Sequence, residues 1–341
     1  MTSTIRSARK LIAVSVCSTL VLGAASAAEF NLTYASPYST THPYGAADEA
    51  WIERIEEQTN GRVDITAYWG RSLISSREGV DELEAGIADM AYITPIYATS
   101  GYELNRLTPA FFYGYSDPAH VLAVYQQLWE EFPTFAEELG GVRVLGFNVG
   151  TPMHLQLRDD PVNTLDDLRG LRIRSANDYI GALAEFGAEG VAMPMGDTYP
   201  ALQRGVLDGV IAPYEALKSL SFGEVVEYYV DLPHSRGAYA SRAMNQAVWD
   251  SLPEDIQAVF LDNIDWLTQK NLENSMEAEE EGKAFGVEQG VTFIEIAASE
   301  KERYAETFTS SAREVAENLD ERGLPGSEIL EQVRQAHQTS D

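Results

Sequence analysis

The residues able to do chemistry in this chain are few, and their spacing is unhelpful to catalysis. The five histidines, His42, His120, His154, His234 and His337, include no pair at metal-ligand spacing. The one cysteine is Cys17, inside an apolar N-terminal run. A lipid-attachment site would need a small residue before it, and Val16 stands there. No G-x-S-x-G, H-E-x-x-H, phosphate loop or G-x-G-x-x-G occurs. Paired carboxylates such as Asp159-Asp160 and Asp166-Asp167 are abundant, but 53 acidic residues generate such pairs by composition. Asp166 and Asp167 also suit the first turn of a short helix after Thr164, where acids favour the helix dipole. The run from Glu277 to Glu281 reads as a solvated helix face. One basic residue stands out: Arg174 ends the predicted strand Leu171–Arg174, where its guanidinium could grip a carboxylate through two parallel hydrogen bonds or pair with one of the many surface acids.

The charge balance narrows the partners. The chain has 341 residues with 24 Lys and Arg against 53 Asp and Glu, a net charge of −29. Such a chain lacks the basic face that nucleic acid requires, and it is poorly suited to an anionic membrane. Only five of the basic residues are Lys, a composition that suits a salty medium where counterions screen self-repulsion. Hydrophobic residues make up 45%, enough for a packed core.

Residues 1–27 read as a cleaved secretory signal. Arg6, Arg9 and Lys10 precede an apolar run from Leu11 to Ala25, and Ala25-Ser26-Ala27 is a small-x-small cleavage site. The run is shorter than the ~20 residues of a bilayer crossing. Cleavage removes three basic and no acidic residues, taking the charge from −29 to −32. It also removes the only cysteine, so disulfides, thiolate catalysis and cysteine-bound metals are not expected. The expected location is the periplasm.

The elements that must position Arg174 alternate between strand and helix. Strands are predicted at Phe30–Tyr34, Arg62–Tyr68, Met90–Ile93 and Val142–Val149, with helices at Gly45–Thr59, Arg77–Ala85 and within Pro118–Leu139. A second set contains strands His154–Leu157, Leu171–Arg174, Gly190–Met193 and Gly209–Ile211, and helices Leu165–Arg169, Tyr179–Phe186 and Thr198–Arg204. Strands near Val225–Val230 and Ala238–Ala243 read as returns between lobes. Pro253–Lys283 and Glu300–Glu321 read as long helices. The predicted class is α/β, with a first lobe over 28–150, a second over 151–238, and a crossover strand and helices over 239–341 that pack on both. A cleft between the lobes is the natural ligand site.

Two segments carry a more specific signal. Leu165-Asp166-Asp167-Leu168-Arg169-Gly170-Leu171-Arg172-Ile173-Arg174 is followed by the stretch from Met193-Pro194-Met195 through Tyr199-Pro200-Ala201-Leu202-Gln203 to Gly205-Val206-Leu207-Asp208-Gly209. This order resembles the DctP-type solute-binding proteins of TRAP (tripartite ATP-independent periplasmic) transporters. Asn60-Gly61-Arg62-Val63, Gly86 to Ala91, and Val248 to Pro253 match further family segments in the same order. The resemblance implies a two-lobed periplasmic binding fold that closes on an organic acid and delivers it to membrane permease subunits. It implies no enzyme, no cofactor and no bound metal, and Arg174 as the carboxylate grip. The expected state is a monomer.

The sequence departs from that family at three places. Counting back from Arg174 puts Met153, beside His154, where many members carry a second arginine. Met195 stands where an aromatic residue is common, and Ala212 where a polar one is. Two methionines and an alanine make an apolar pocket, and methionine adapts to irregular apolar or aromatic surface. Tyr92, Tyr97, Tyr113 and Tyr214 could offer ring faces and hydroxyls, with Thr94 beside them. The expected ligand is therefore a monocarboxylate with an apolar or aromatic body, because a second carboxylate would lack its cation. A protonated His154 would instead restore a C4-dicarboxylate site. Two other readings stay open here: an exported hydrolase using paired carboxylates, and a binding protein that serves a sensor kinase.

Overall fold

The structure is a computed structural model and describes residues 28–234 and 236–338. The signal-peptide reading lies outside the described residues. In the first part of the chain β1 (Phe30–Ala35) leads to α1 (Pro43–Gln58), β2 (Val63–Tyr68), α2 (Gly79–Glu84) and β3 (Met90–Tyr92). Then come α3 (Glu103–Leu107), α4 (Pro118–Glu131), α5 (Thr134–Glu137) and β4 (Val142–Val149). The chain crosses to β5 (Met153–Leu157), β6 (Arg172–Ser175), α6 (Ile180–Glu185), β7 (Glu189–Ala192), α7 (Thr198–Gln203), β8 (Gly209–Ala212), α8 (Glu215–Ser219) and β9 (Tyr228–His234). It returns through β10 (Ala238–Asn245) to α9 (Gln246–Ser251), α10 (Glu254–Asp262), α11 (Ile264–Gln289), β11 (Thr292–Ile294), α12 (Ala298–Glu321) and α13 (Gly326–Gln338).

The strands form two mixed sheets. The first has the order β2-β1-β3-β10-β4, with β1 parallel to both β2 and β3 and β10 antiparallel to β3 and β4. The second has the order β11-β9-β5-β8-β6-β7. Chain order and sheet membership thus disagree at β10, which returns to the first sheet, and at β11, which returns to the second. The α11 helix spans the two parts, touching α1 and β4 on one side and α8 on the other.

Local chemistry explains several boundaries. Pro43 opens the first turn of α1 behind His42, whose Nδ1 accepts the amide of Tyr44. Asn60 and Gly61 then turn the chain with φ of 54° and 73°, a conformation suited to those residue types. One expectation is corrected. The predicted helix Pro253–Lys283 is two helices, broken at Asn263. The Asn263 side chain is buried, accepts from Arg54 Nε and donates to Gln58 Oε1 and the Val259 carbonyl. The bond back to Val259 competes locally with helix continuation, and the bonds to Arg54 and Gln58 of α1 hold the side chain in place.

The two sequence segments singled out above form the scaffold around β6. Thr164 and Asp167 make a reciprocal capping box on the 3₁₀ turn Leu165–Leu168. Gly170, at φ 82°, starts the turn into β6. Asp208 then holds the strand: it accepts from the Arg172 amide at 2.8 Å and from the Arg172 guanidinium at 2.8 and 3.0 Å. Gly209 follows because a Cβ there would lie 2.7 Å from the Gln156 carbonyl oxygen across the sheet. These residues deliver Arg174 to the strand end.

Candidate functional site

One pocket lies across the ends of the strands of both sheets. Tyr97 and Ile96 reach it from the turn after β3, and Pro109 from the turn after α3. The second sheet supplies Met153 from β5, Ile211 from β8 and Arg174 from β6, with Tyr179 and Met195 on the turns that follow β6 and β7. Arg236, from the β9–β10 crossing, completes the wall.

Arg174 is 2% exposed. Its Nε donates to the Met193 carbonyl at 2.8 Å and its Nη2 to the Tyr97 hydroxyl at 2.9 Å. Both partners are neutral, and the guanidinium makes no ion pair among the described residues. The first contact locks the side chain to the second sheet; the second crosses to the first. Its remaining N–H groups are the donors left beside the apolar Met153, Met195, Ile96 and Ile211 of the wall.

Arg236 is the residue that sequence reasoning missed. It is 7% exposed, donates from Nη1 to the Tyr44 hydroxyl at 2.6 Å, and makes no ion pair among the described residues. Burial works against its charge, but the oxygens of Tyr44, Tyr239, Tyr97 and Tyr38 prevail and hold it charged, above its ordinary range. Room for it exists because residue 150 is glycine: a Cβ there would lie 2.6 Å from the Arg236 Cδ. The available signal was an arginine in the short connection His234 to Ala238 of a chain short of basic residues. The expectation of a single cation in the pocket is thereby corrected.

The predicted residues divide cleanly. Arg174, Met153, Met195 and Tyr97 are brought together in the pocket. His154, Ala212 and Tyr214 are not. Adjacent residues of a strand face opposite ways, so Met153 facing the pocket turns His154 away from it. Ala212 pairs with His154 in register and shares that far face. His154 Nδ1 lies 3.1 Å from Asp231 Oδ1, and His154 packs on Tyr214 and Tyr229. It cannot serve as the missing cation. Asp231, which also meets Lys301 at 2.6 Å, is held well below the usual carboxylate range, first by His154 and then, against burial, by Lys301. Tyr214 stacks on Tyr229 with ring centroids 4.1 Å apart, and burial pushes its hydroxyl up to about 12. Tyr92 is buried in the core of the first sheet, its hydroxyl 3.2 Å from that of Tyr239, and the Thr94 hydroxyl donates to the Ser76 carbonyl. Tyr113 stands one layer back, stacked on Phe308 and edge-on to His234.

Behind Tyr179 lies a buried histidine with no polar partner. The His234 ring sits 4.1 Å from Tyr179 and 4.7 Å from Phe308, and neither of its nitrogens has a hydrogen-bond partner among the described residues. Burial, reinforced by His154, lowers it to about 3. It is neutral at ordinary pH and forms part of an aromatic wall. No cluster of three His, Cys, Asp or Glu that could hold a metal ion occurs among the described residues.

Outside the pocket the two parts of the chain also touch through exposed polar groups. Arg71 pairs with Asp197, and the Arg77 guanidinium donates to the Ala192 carbonyl at 2.9 Å. Further in, Asn177 Nδ2 donates to the carbonyls of Ile96 and Ala98.

The chain has recognisable relatives among known proteins. The family model "Bacterial extracellular solute-binding protein, family 7" (DctP) matches residues 34–318. A solute-binding protein of Chromohalobacter salexigens is 27% identical, over 64% of this chain and 66% of its own length. The C4-dicarboxylate-binding periplasmic protein DctP of Rhodobacter capsulatus is 26% identical, over 86% of this chain and 87% of its own. Among solved structures, a marine metagenome TRAP solute-binding protein specific for aromatic acids, crystallised with 3-hydroxybenzoate, superposes with a TM-score of 0.81. That match has 20% identity and covers 92% of this chain and all of the other, so it speaks for the two-lobed α/β fold.

Proposed function

Because the chain belongs to the DctP family of bacterial extracellular solute-binding proteins, we propose that it captures an organic acid in the Arg174 pocket and hands it to the membrane subunits of a TRAP permease. The family is one of solute-binding proteins rather than enzymes, so the hydrolase alternative falls away. The protein acts outside the cytoplasm after loss of residues 1–27.

The observation that carries this reading is Arg174: a buried guanidinium with only neutral partners, in a chain of net charge −29. An unpaired buried cation is costly unless a counterion arrives, and a carboxylate fits its planar fork. The rest of the wall is methionine, isoleucine, proline and tyrosine, which favours a ligand with an apolar or aromatic body. The structural relative that holds 3-hydroxybenzoate supports the same class. Binding needs no bond making: ligand contacts to both sheets exist only when the cleft is closed, so occupancy favours closure.

Mass spectrometry of the acid that co-purifies identifies the ligand, and calorimetric titration with a panel of acids ranks the class. Aromatic or branched monocarboxylates are expected to bind most tightly. Tight succinate or malate binding without response to aromatic acids would overturn the ligand class, and unchanged binding by Arg174→Ala would overturn the grip.

A further inference from the structure

We infer that Arg236 is a second ligand-gripping residue, and that the pocket selects acids bearing, besides their carboxylate, a second oxygen function such as a hydroxyl, a keto oxygen or a second carboxylate. The inference rests on the Arg174 reading and extends it.

The argument starts from charge. Arg174 and Arg236 line the same pocket, both are more than nine-tenths buried, and neither has a carboxylate partner among the described residues. One carboxylate can satisfy one guanidinium fork in full. A purely apolar remainder would leave the second guanidinium desolvated by the ligand itself and without an acceptor, which is the costly arrangement. Arg236 is also placed with care. Its Nη1 rests on Tyr44 Oη, Gly150 supplies the space beside it, and Gly237, at φ 66°, lets the crossing pass close to Pro109, where a Cβ would lie 2.7 Å from Pro109 Cα. The Tyr44 contact occupies part of the five-donor guanidinium, and other N–H groups remain for a ligand.

The two arginines are moored on opposite sides. Arg174 is held by Met193 of the second part, while Arg236 is held by Tyr44 of α1, which packs with the first sheet. A ligand with two oxygen functions therefore ties the two parts together through charged hydrogen bonds. A ligand with one does so through a single arginine and apolar contact. The apolar body expected of the ligand and its second oxygen are compatible, since Met153, Met195 and Ile211 still enclose the remainder.

The test uses the mature chain and three acids on one ring: benzoate, 3-hydroxybenzoate and isophthalate, with propionate, lactate and succinate as the aliphatic set. Calorimetry of the wild type is expected to show at least tenfold tighter binding for an oxygen-bearing member of at least one set than for its unsubstituted parent. Arg236→Met is expected to abolish that preference, the affinity for the oxygen-bearing acid falling at least tenfold relative to its parent, and to leave the melting temperature of the ligand-free protein equal or higher. Arg236→Gln, which can keep a hydrogen bond to Tyr44, serves if the methionine variant does not fold. A preference that survives both substitutions, or no preference in the wild type, overturns the inference. So does a ligand-free protein destabilised by both variants with ligand preference intact, since Arg236 would then be structural. Loss of the Arg174 grip is a separate result: Arg174→Ala binding every acid as tightly as the wild type sinks the underlying reading and not merely this extension.

Discussion

Three arginines are buried among the described residues, and they live in two kinds of surroundings. Arg242 on β10 is fully enclosed and fully answered. Its guanidinium meets the Asp48 carboxylate at 2.7 Å, Asn271 Oδ1 at 2.9 Å and Ser241 Oγ at 3.1 Å, and lies over the Tyr92 ring. Tyr34 donates to the other Asp48 oxygen at 2.6 Å. Burial pushes the Asp48 carboxyl up, and Arg242 and Tyr34 pull against it. Arg174 and Arg236 are nearly as buried but have phenols and a carbonyl in place of an acid. On the proposed reading, the difference separates an arginine that holds the fold from arginines that await a counterion. In a chain with 53 acidic residues, neither of these two interior cations has an ion-paired carboxylate among the described residues, and Arg236 feels the buried Glu215 only at longer range.

The comparison can be broken most forcefully at Asp48. Asp48→Ala leaves Arg242 buried and unpaired, and about 3–5 kcal/mol of stability should be lost, measured by chemical denaturation. Only a loss below about 1 kcal/mol would put Arg242 in the same class as the pocket arginines. Arg174→Ala should show the converse: little change in ligand-free stability, with affinity for the acid falling about 100-fold or more, as expected for two charge-assisted hydrogen bonds. Comparable losses in both quantities would erase the distinction.

A third measurement creates a further unanswered cation. Protonated His234 would have no acceptor among its aromatic neighbours. Its folded pKa of about 3 lies below the ordinary value of 6.5, so the unfolded chain binds the extra proton between those limits. Stability should therefore fall as pH drops from about 6.5 toward 3, by about 1.4 kcal/mol per pH unit from this residue. His42, also lowered to about 3, by burial and then by Arg236 and Arg242, adds a similar slope, while the raised carboxyls of Asp48, Glu215 and Glu279 oppose it. The clean readout is the difference from His234→Phe, whose pH slope over this range should be shallower. The smallest effect belongs to the exposed Arg71–Asp197 pair between the two parts: Arg71→Ala should cost under about 1 kcal/mol, weaken ligand binding a few-fold at low salt, and lose even that at high salt.

Much of this was legible in the residues. The order of strands and helices follows hydrophobic periodicity, and Arg174 is marked by the scaffold that presents it, the Thr164 cap, the Gly170 turn and the Asp208 clamp. Met153 could be placed by counting along β5. His154 could not, because one step along a strand exchanges the pocket for the far face. The break at Asn263 depends on side-chain partners from α1, distant in sequence. Arg236 was hidden for a similar reason: its role depends on Tyr44 and Gly150, which only the crossing between sheets brings beside it.

The opposite moorings of the two arginines have a kinetic consequence. If both arginines grip the cargo as proposed, opening of the cleft would carry Arg174 with Met193 and leave Arg236 with Tyr44, so the two grips would not let go as one event. Discharge to a transporter should then proceed in two stages, a fast release from one arginine and a slower escape from the other. The slower of the two, rather than equilibrium affinity, would set how long the cargo stays aboard.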